Sequence, residues 1–347
     1  MSIDQLPESR PAASKRGRFR HEAMLYRGPD EFVHRAATFV RDALAAEEPI
    51  MVAVIEPRAS MLRDELGVEA RLVNFIDMAA IGRNPARIIP AWQEWVVRHQ
   101  GSAHGFRGIG EPIWPGRSPS ELIECQQHEA LLNLAFDEGP PWWLLCPYDT
   151  TSLDSDVIAR AHQTHPGVMD AGRAYRSASY PHPEFSRSAM FSAAFPEPTE
   201  PTVQLYRTEF GLADLPRIRQ AVATCATAQH VAARRVDDLV LVANELACNS
   251  IKHGGGTGTL RLWREGGQVV CEVHDRGLIT DPLVGRRKPN PEGGGGAGLW
   301  IANLLCDLVQ IRSTPQTGTT VRVYVEASKA DPASSVESVS DDHNSMA

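Results

Sequence analysis

Asn244-Glu245-Leu246-Ala247-Cys248-Asn249, Asp275-Arg276-Gly277, Gly293-Gly294-Gly295-Gly296-Ala297-Gly298-Leu299 and Gly318-Thr319-Thr320 follow one another in that order. Around the first patch, Leu239, Val242 and Leu246 recur at three- and four-residue spacing. This predicts a helix over 236–253 with one apolar stripe. Glu245, Asn249 and His253 step along another face at i, i+4 spacing, and Gly254-Gly255-Gly256 ends the helix. An amide oxygen ligates a hard cation such as magnesium. A carboxylate one turn away can orient or deprotonate a hydroxyl. Taken alone, the pair suits a solvated helix face equally well.

Two strands are predicted next, over 258–264 and 268–275, joined by the turn at Gly266-Gly267. Asp275 ends the second strand, where a carboxylate can accept a hydrogen bond from an exocyclic amine. Gly277 lets backbone approach closely. The glycine run precedes an apolar helix over 299–308, and a helix N-terminus favours anions. Strands over 308–313 and 320–325 flank the turn at Gly318. Each patch is weak by itself; the ordered set argues for one nucleotide pocket with adenine, phosphate and magnesium ends.

As an ordered set these motifs resemble the Bergerat-fold ATPase module shared by histidine kinases, gyrase B and MutL-type proteins. Within that group they are most similar to the anti-sigma-factor serine kinase type. The resemblance rests on Pro216-Arg217-Ile218-Arg219, Glu245-Leu246 with Asn249 and Lys252-His253-Gly254, Gly298-Leu299-Trp300-Ile301-Ala302 and Gly318-Thr319-Thr320-Val321. It covers about residues 203–326 and implies an α+β ATP-binding domain. It also implies roles: Glu245 as general base, Asn249 as magnesium ligand, and His253 beside them. Asp275 and Gly277 would read adenine, Gly296, Gly298 and Leu299 would form the phosphate end of a lid, and Thr320 would back the base. The family's second box is Asp-x-Gly-x-Gly; here Ile279 stands at the last glycine position, which bears on the hinge of the lid and on whether the kinase is active.

The 347 residues leave room for two domains, and 42% hydrophobic content suffices for packed cores. A net charge of -8 argues against an extended nucleic-acid surface. Six dispersed cysteines with no Cys-x-x-Cys pair indicate neither a zinc knuckle nor a disulfide framework. With no signal peptide and no long apolar run, a cytoplasmic protein without membrane attachment is expected. Residues 1–18 and 327–347 are predicted disordered, and the proline-dense 177–202 a linker.

Residues 19–176 alternate strand and helix patterns, the signature of a parallel sheet covered on both faces. Functional groups of such sheets gather at the carboxyl ends of strands; Glu56, Asp77, Arg107, Glu111, Tyr148 and Asp149 are candidates. No Gly-x-x-x-x-Gly-Lys-Ser/Thr loop occurs. His21 with Tyr26, Arg107-Gly108-Ile109-Gly110-Glu111, Glu124 with His128-Glu129, and Cys146-Pro147-Tyr148-Asp149 resemble the MEDS (DcmR-type) sensory domain. That family implies a RecA/KaiC-like α/β fold without a P-loop and reception of a small-molecule or protein signal. The sequence separation of His21, His128 and Cys146 gives no support to a metal site, and a structural role is expected for each.

The resemblances together imply a signalling regulator: an ATP- and magnesium-binding anti-sigma factor with serine/threonine kinase activity on an anti-anti-sigma partner. Its partners would be that protein and a sigma factor, and the chain could form a homodimer. The alternatives are a sensor histidine kinase-like protein and a non-catalytic ATP-binding module.

Overall fold

The computed structural model describes residues 19–102, 104–181, 195, 202–289 and 297–327. The expected terminal arm and nearly all of the tail, most of the proline-dense linker and most of the glycine run lie outside them. By packing, the chain divides into two compact units. One takes Met1–Glu197 with Ile279–Leu304 and Arg312–Thr314; the other takes Pro198–Leu278, Leu305–Ile311 and Pro315–Ala347.

In the first unit the strands are β1 (Arg20–Tyr26), β2 (Ile50–Val54), β3 (Asn74–Asp77), β4 (Arg107–Gly110), β5 (Trp143–Asp149), β6 (Gly167–Asp170) and β7 (Arg173–Arg176). They form one sheet in the order β3-β2-β4-β5-β1-β6-β7. Neighbours pair in parallel except β6 with β7, whose hairpin turns through Ala171 and Gly172, both at positive φ. The crossovers are the helices α1 (Gly28–Ala45), α2 (Arg58–Leu66), α3 (Met78–Ile81), α4 (Ile88–His99), α5 (Pro119–Ala135) and α6 (Ser155–Thr164).

Strand alternation sorts the core into two layers. β1 sends Ala23 and Leu25 to a cluster with Trp92, Cys125, Leu132 and Val157 of α4, α5 and α6. Met24 and Tyr26 go to the opposite cluster, with Phe32, Ala36, Val40 and Leu62 of α1 and α2. Burial on both faces explains the unbroken apolar run of β2. The two glycines of β4 have a packing reason: a Cβ on Gly108 would lie 2.6 Å from the Trp92 ring. A capping box between Ser118 and Glu121, with Pro119 at the first turn, starts α5. Sequence patterning missed α6, β6 and β7, which are short.

The second unit is built on an antiparallel sheet in the order β11-β12-β10-β9-β8. Its strands are β8 (Thr202–Phe210), β9 (Gly258–Glu265), β10 (Gln268–Asp275), β11 (Leu308–Thr314) and β12 (Gly318–Glu326). Two helices lie in this unit, α7 (Leu215–Ala228) and α8 (Ala233–His253), while α9 (Ala297–Leu305) groups with the first. α7 buries Ile218, Val222 and Ala226; α8 buries Val236, Leu239, Val242, Ala243 and Leu246, the predicted stripe. Val269, Cys271 and Val273 of β10 are also buried. The helix predicted to reach residue 308 stops at Leu305. The reason is Asp307, which is committed to the sheet: it pairs with Arg235 at 2.8 Å and accepts from the Glu326 N–H at 2.7 Å.

Candidate functional site

The best-defined polar arrangement in the second unit is at the end of β10. Both oxygens of the Asp275 carboxylate are engaged. Ser250 Oγ of α8 donates to Oδ2 at 2.5 Å, and the Gly277 N–H donates to Oδ1 at 2.7 Å. Three glycines make this possible. A Cβ on Gly254 would lie 2.3 Å from Asp275 Cγ, one on Gly277 2.8 Å from the His253 carbonyl oxygen, and one on Gly318 2.1 Å from the Asp275 carbonyl oxygen. Only Gly318 among them also needs positive φ. Asp275 is therefore clamped against the last turn of α8, half-buried, with acceptor capacity left for an incoming donor.

Glu245 and Asn249 occupy successive turns of the same helix, both half-buried; neither side chain takes part in a hydrogen bond or ion pair with another described residue. Asn249 adjoins Ser250, so its turn is the one that grips Asp275. His253 is exposed at the end of α8. The helix thus presents an amide and a carboxylate as uncommitted oxygen donors, a set that suits a magnesium-bound triphosphate, and Asp275 suits an exocyclic amine. Ser250, which the sequence reading did not single out, is the residue that fixes the acid.

Thr320 does not sit where it was expected. In the β10–β12 register Asp275 pairs with Thr319, and His274 pairs with Thr320. Successive residues of a strand point to opposite faces, so Thr320 lies on the face away from Asp275, its hydroxyl 3.0 Å from His274 Nδ1. Thr319 takes the expected place, donating to the Gly277 carbonyl oxygen at 2.9 Å.

Gly296 lies outside the described residues. Gly298 and Leu299 are buried in the first turn of α9. Ile279 donates its N–H to Ser313 Oγ at 2.9 Å and is not at positive φ, so the backbone there makes no demand for glycine.

In the first unit, Arg58 at the start of α2 joins two of the predicted strand-end acids. It pairs with Glu111, with its other nitrogen 3.7 Å from Asp149, and its guanidinium stands 5.5 Å from the Tyr26 ring. Asp149 also accepts from the Gly28 N–H at 3.3 Å and the Thr151 hydroxyl at 2.7 Å. The other candidates are elsewhere. Glu56 is exposed on Ser60 and Arg63, Asp77 caps α3, and Arg107 pairs with Glu48 at the opposite, amino end of β4.

A family model described as the MEthanogen/methylotroph, DcmR Sensory domain (MEDS) matches residues 20–166, and one described as a histidine kinase-like ATPase domain matches 209–325. The chain is a MEDS domain followed by a histidine kinase-like ATPase domain. No curated protein matches it. The ATPase domain implies ATP binding, and its fusion to a sensory domain is the organisation of a signalling regulator. No helix among the described residues is long and apolar enough to cross a membrane.

Inside the MEDS domain the structure brings His21 and Cys146 together, although their sequence separation gave no reason to join them. His21 of β1, Glu129 of α5, Cys146 of β5 and His165 just after α6 converge. His21 Nε2 is 3.0 Å from Glu129 Oε2 and 3.4 Å from Cys146 Sγ, and His165 Nε2 is 3.3 Å from Glu129 Oε2. All four residues are buried. His128 is not among them: it is buried one position away on α5, and its Nδ1 has no partner among the described residues. Burial pulls the His21 imidazole down to about 4 and that of His128 to about 3. No single element of the sequence carries more than one of the four groups, so only the sheet order could bring them together.

Proposed function

We infer that the protein is an ATP-dependent regulator of the anti-sigma type. Its ATPase domain would bind a sigma factor and phosphorylate a serine or threonine of an anti-anti-sigma protein, under control of the MEDS domain. The MEDS sheet, parallel but for one edge strand and lacking a P-loop, suits a RecA/KaiC-like ancestry. The observation that carries the reading is the clamped Asp275 at the end of β10, held by Ser250, which lies one residue along α8 from Asn249 and a further turn from Glu245.

Bound magnesium ATP supplies the phosphoryl group. Asp275 accepts from the adenine amine, held rigid by Ser250 and Gly277, so recognition loses little to side-chain ordering. Asn249 offers its amide oxygen to the cation. Glu245 accepts the proton of the incoming hydroxyl. The new phosphate adds about two negative charges to the partner, which changes the surfaces it fits.

Two features favour this over a sensor histidine kinase. Such a kinase needs a dimerising helical hairpin with a phosphoacceptor histidine before its ATP domain. Here β8 runs directly into the α7–α8 pair, and α7 packs on α8 as part of the same unit. The test is incubation with γ-labelled ATP, alone and with candidate anti-anti-sigma proteins. Acid-stable label on the partner is expected. Acid-labile label on the chain itself would establish histidine chemistry instead, and sigma-factor binding without any label would establish a non-catalytic module.

A further inference from the structure

The four buried groups of the MEDS domain pose an accounting problem in hydrogens. His165 Nδ1 lies 2.9 Å from the Ala161 carbonyl oxygen, an acceptor, so that nitrogen carries the ring proton. His21 Nδ1 lies 3.1 Å from Asn133 Oδ1. The Asn133 amide orientation is set by its nitrogen, which donates to the carbonyl oxygens of Thr164 at 2.7 Å and Glu129 at 3.4 Å. Its oxygen therefore faces His21, and His21 Nδ1 is also a donor. Both neutral rings then aim bare Nε2 lone pairs inward, at a carboxylate oxygen and a sulfur.

Those inner atoms are short of donors: the Cys146 thiol, 3.4 Å from His21 Nε2, supplies one weak one. Among the described residues neither His165 Nε2, 3.3 Å from Glu129 Oε2, nor Glu129 Oε1 has a hydrogen-bond partner. One extra proton would satisfy one ring and leave the other Nε2 to the weak thiol donor beside a carboxylate oxygen; two would bury two imidazolium charges against a single carboxylate. Fully buried acceptors turned on one another are costly. A single cation at their centre satisfies all of them at once.

We propose that His21, Glu129, Cys146 and His165 form a binding site for one four-coordinate divalent transition-metal ion of zinc's class. The donor set is two imidazoles, a thiolate and a carboxylate, which selects zinc-like ions over magnesium or calcium. Bonds of about 2.0–2.3 Å in a tetrahedron place ligand atoms roughly 3.3–3.8 Å apart. The four ligand atoms already lie within 4.8 Å of one another. Contacts behind them are those a metal site needs: Asn133 and the Ala161 carbonyl oxygen fix the two ring tautomers, and the Tyr148 ring stands edge-on to His165 at 5.5 Å. With four protein ligands the site is closed. The ion would join β1, β5, α5 and the end of α6, so that metal loading and the state of the Cys146 thiolate govern the order of this domain. On binding, the thiol releases its proton to solvent and the sulfur forms the metal bond, with no redox step.

The test uses the untagged full-length chain, stripped with a chelator and titrated with Co²⁺ and, separately, Zn²⁺. One equivalent per chain is expected, with tetrahedral d–d bands and a near-ultraviolet thiolate charge-transfer band for cobalt. Cys146→Ser should lose the charge-transfer band. Asn133→Ala, a change in a positioning residue only, should weaken binding by about 10–100-fold while leaving the band intact. Circular dichroism of each variant checks its fold. If Cys146→Ser fails to fold, the wild-type titration still decides. Less than one equivalent bound, or cobalt bound without a thiolate band, overturns the proposal, and so does a band that persists in folded Cys146→Ser.

Discussion

Replacing Gly254 by alanine is the sharpest probe of the nucleotide site, because Gly254 has no side chain to contact ATP and the change acts through Asp275. The added Cβ would stand 2.3 Å from Asp275 Cγ and 2.5 Å from its Oδ1. Ordinary contact begins at 3.4 Å, so the carboxylate must retreat by about 1.1 Å. Gly254 itself has φ -100, which alanine adopts without strain, so the cost is steric alone. A retreat of that size stretches the bonds from Ser250 at 2.5 Å and Gly277 at 2.7 Å to the limit of hydrogen bonding or past it. Hydrogen bonds to a charged group contribute about 1.5–3 kcal/mol each. Asp275 is only half-buried and water recovers part of that, so a stability loss of about 2–4 kcal/mol is expected. Displacing the adenine acceptor should also weaken ATP at least ~10-fold, since about 1.4 kcal/mol is a factor of ten. Urea unfolding measures the first and calorimetric titration with a non-hydrolysable ATP analogue the second. Gly267→Ala, where an added Cβ meets nothing within 4 Å, is the matched control. A folded Gly254→Ala chain with wild-type nucleotide affinity would refute Asp275 as the reader of the base.

Asn249→Ala should abolish magnesium-dependent ATP binding, whereas Glu245→Ala should slow transfer and leave the affinity within about twofold; a large affinity loss in Glu245→Ala would remove it from the role of base. Thr319→Ala should weaken nucleotide binding while Thr320→Ala does not, a contrast that equilibrium titration reads directly and that equal effects would contradict. In the MEDS domain Gly108→Ala forces a methyl against Trp92 at 2.6 Å. Overpacking of this kind costs about 1–3 kcal/mol, to be seen as a lowered urea midpoint with unchanged ATP affinity.

Much of this was legible in the sequence because it depends on local periodicity. The α8 stripe, the β9–β10 hairpin and the buried β2 run each follow from spacings within a few residues. Asp275, Asn249 and Glu245 could be singled out for the same reason, each lying in a short motif. That Thr319 and not Thr320 shares the face of Asp275 is a parity of one residue, which sequence order leaves open and strand register decides.

The sequence by itself determined a sensory module of α/β type followed by an α+β ATPase module, and it singled out candidate nucleotide-site residues, since these reside in helix faces and strand ends. Only the tertiary structure decided that Ser250 and three glycines clamp Asp275, and that His21, Glu129, Cys146 and His165 meet. Those four residues come from elements as much as 144 positions apart. They become neighbours because β1 is inserted between β5 and β6 while α5 and α6 cover that face of the sheet. Pairing among distant strands is fixed by burial of the whole sheet, a collective quantity that no local spacing records.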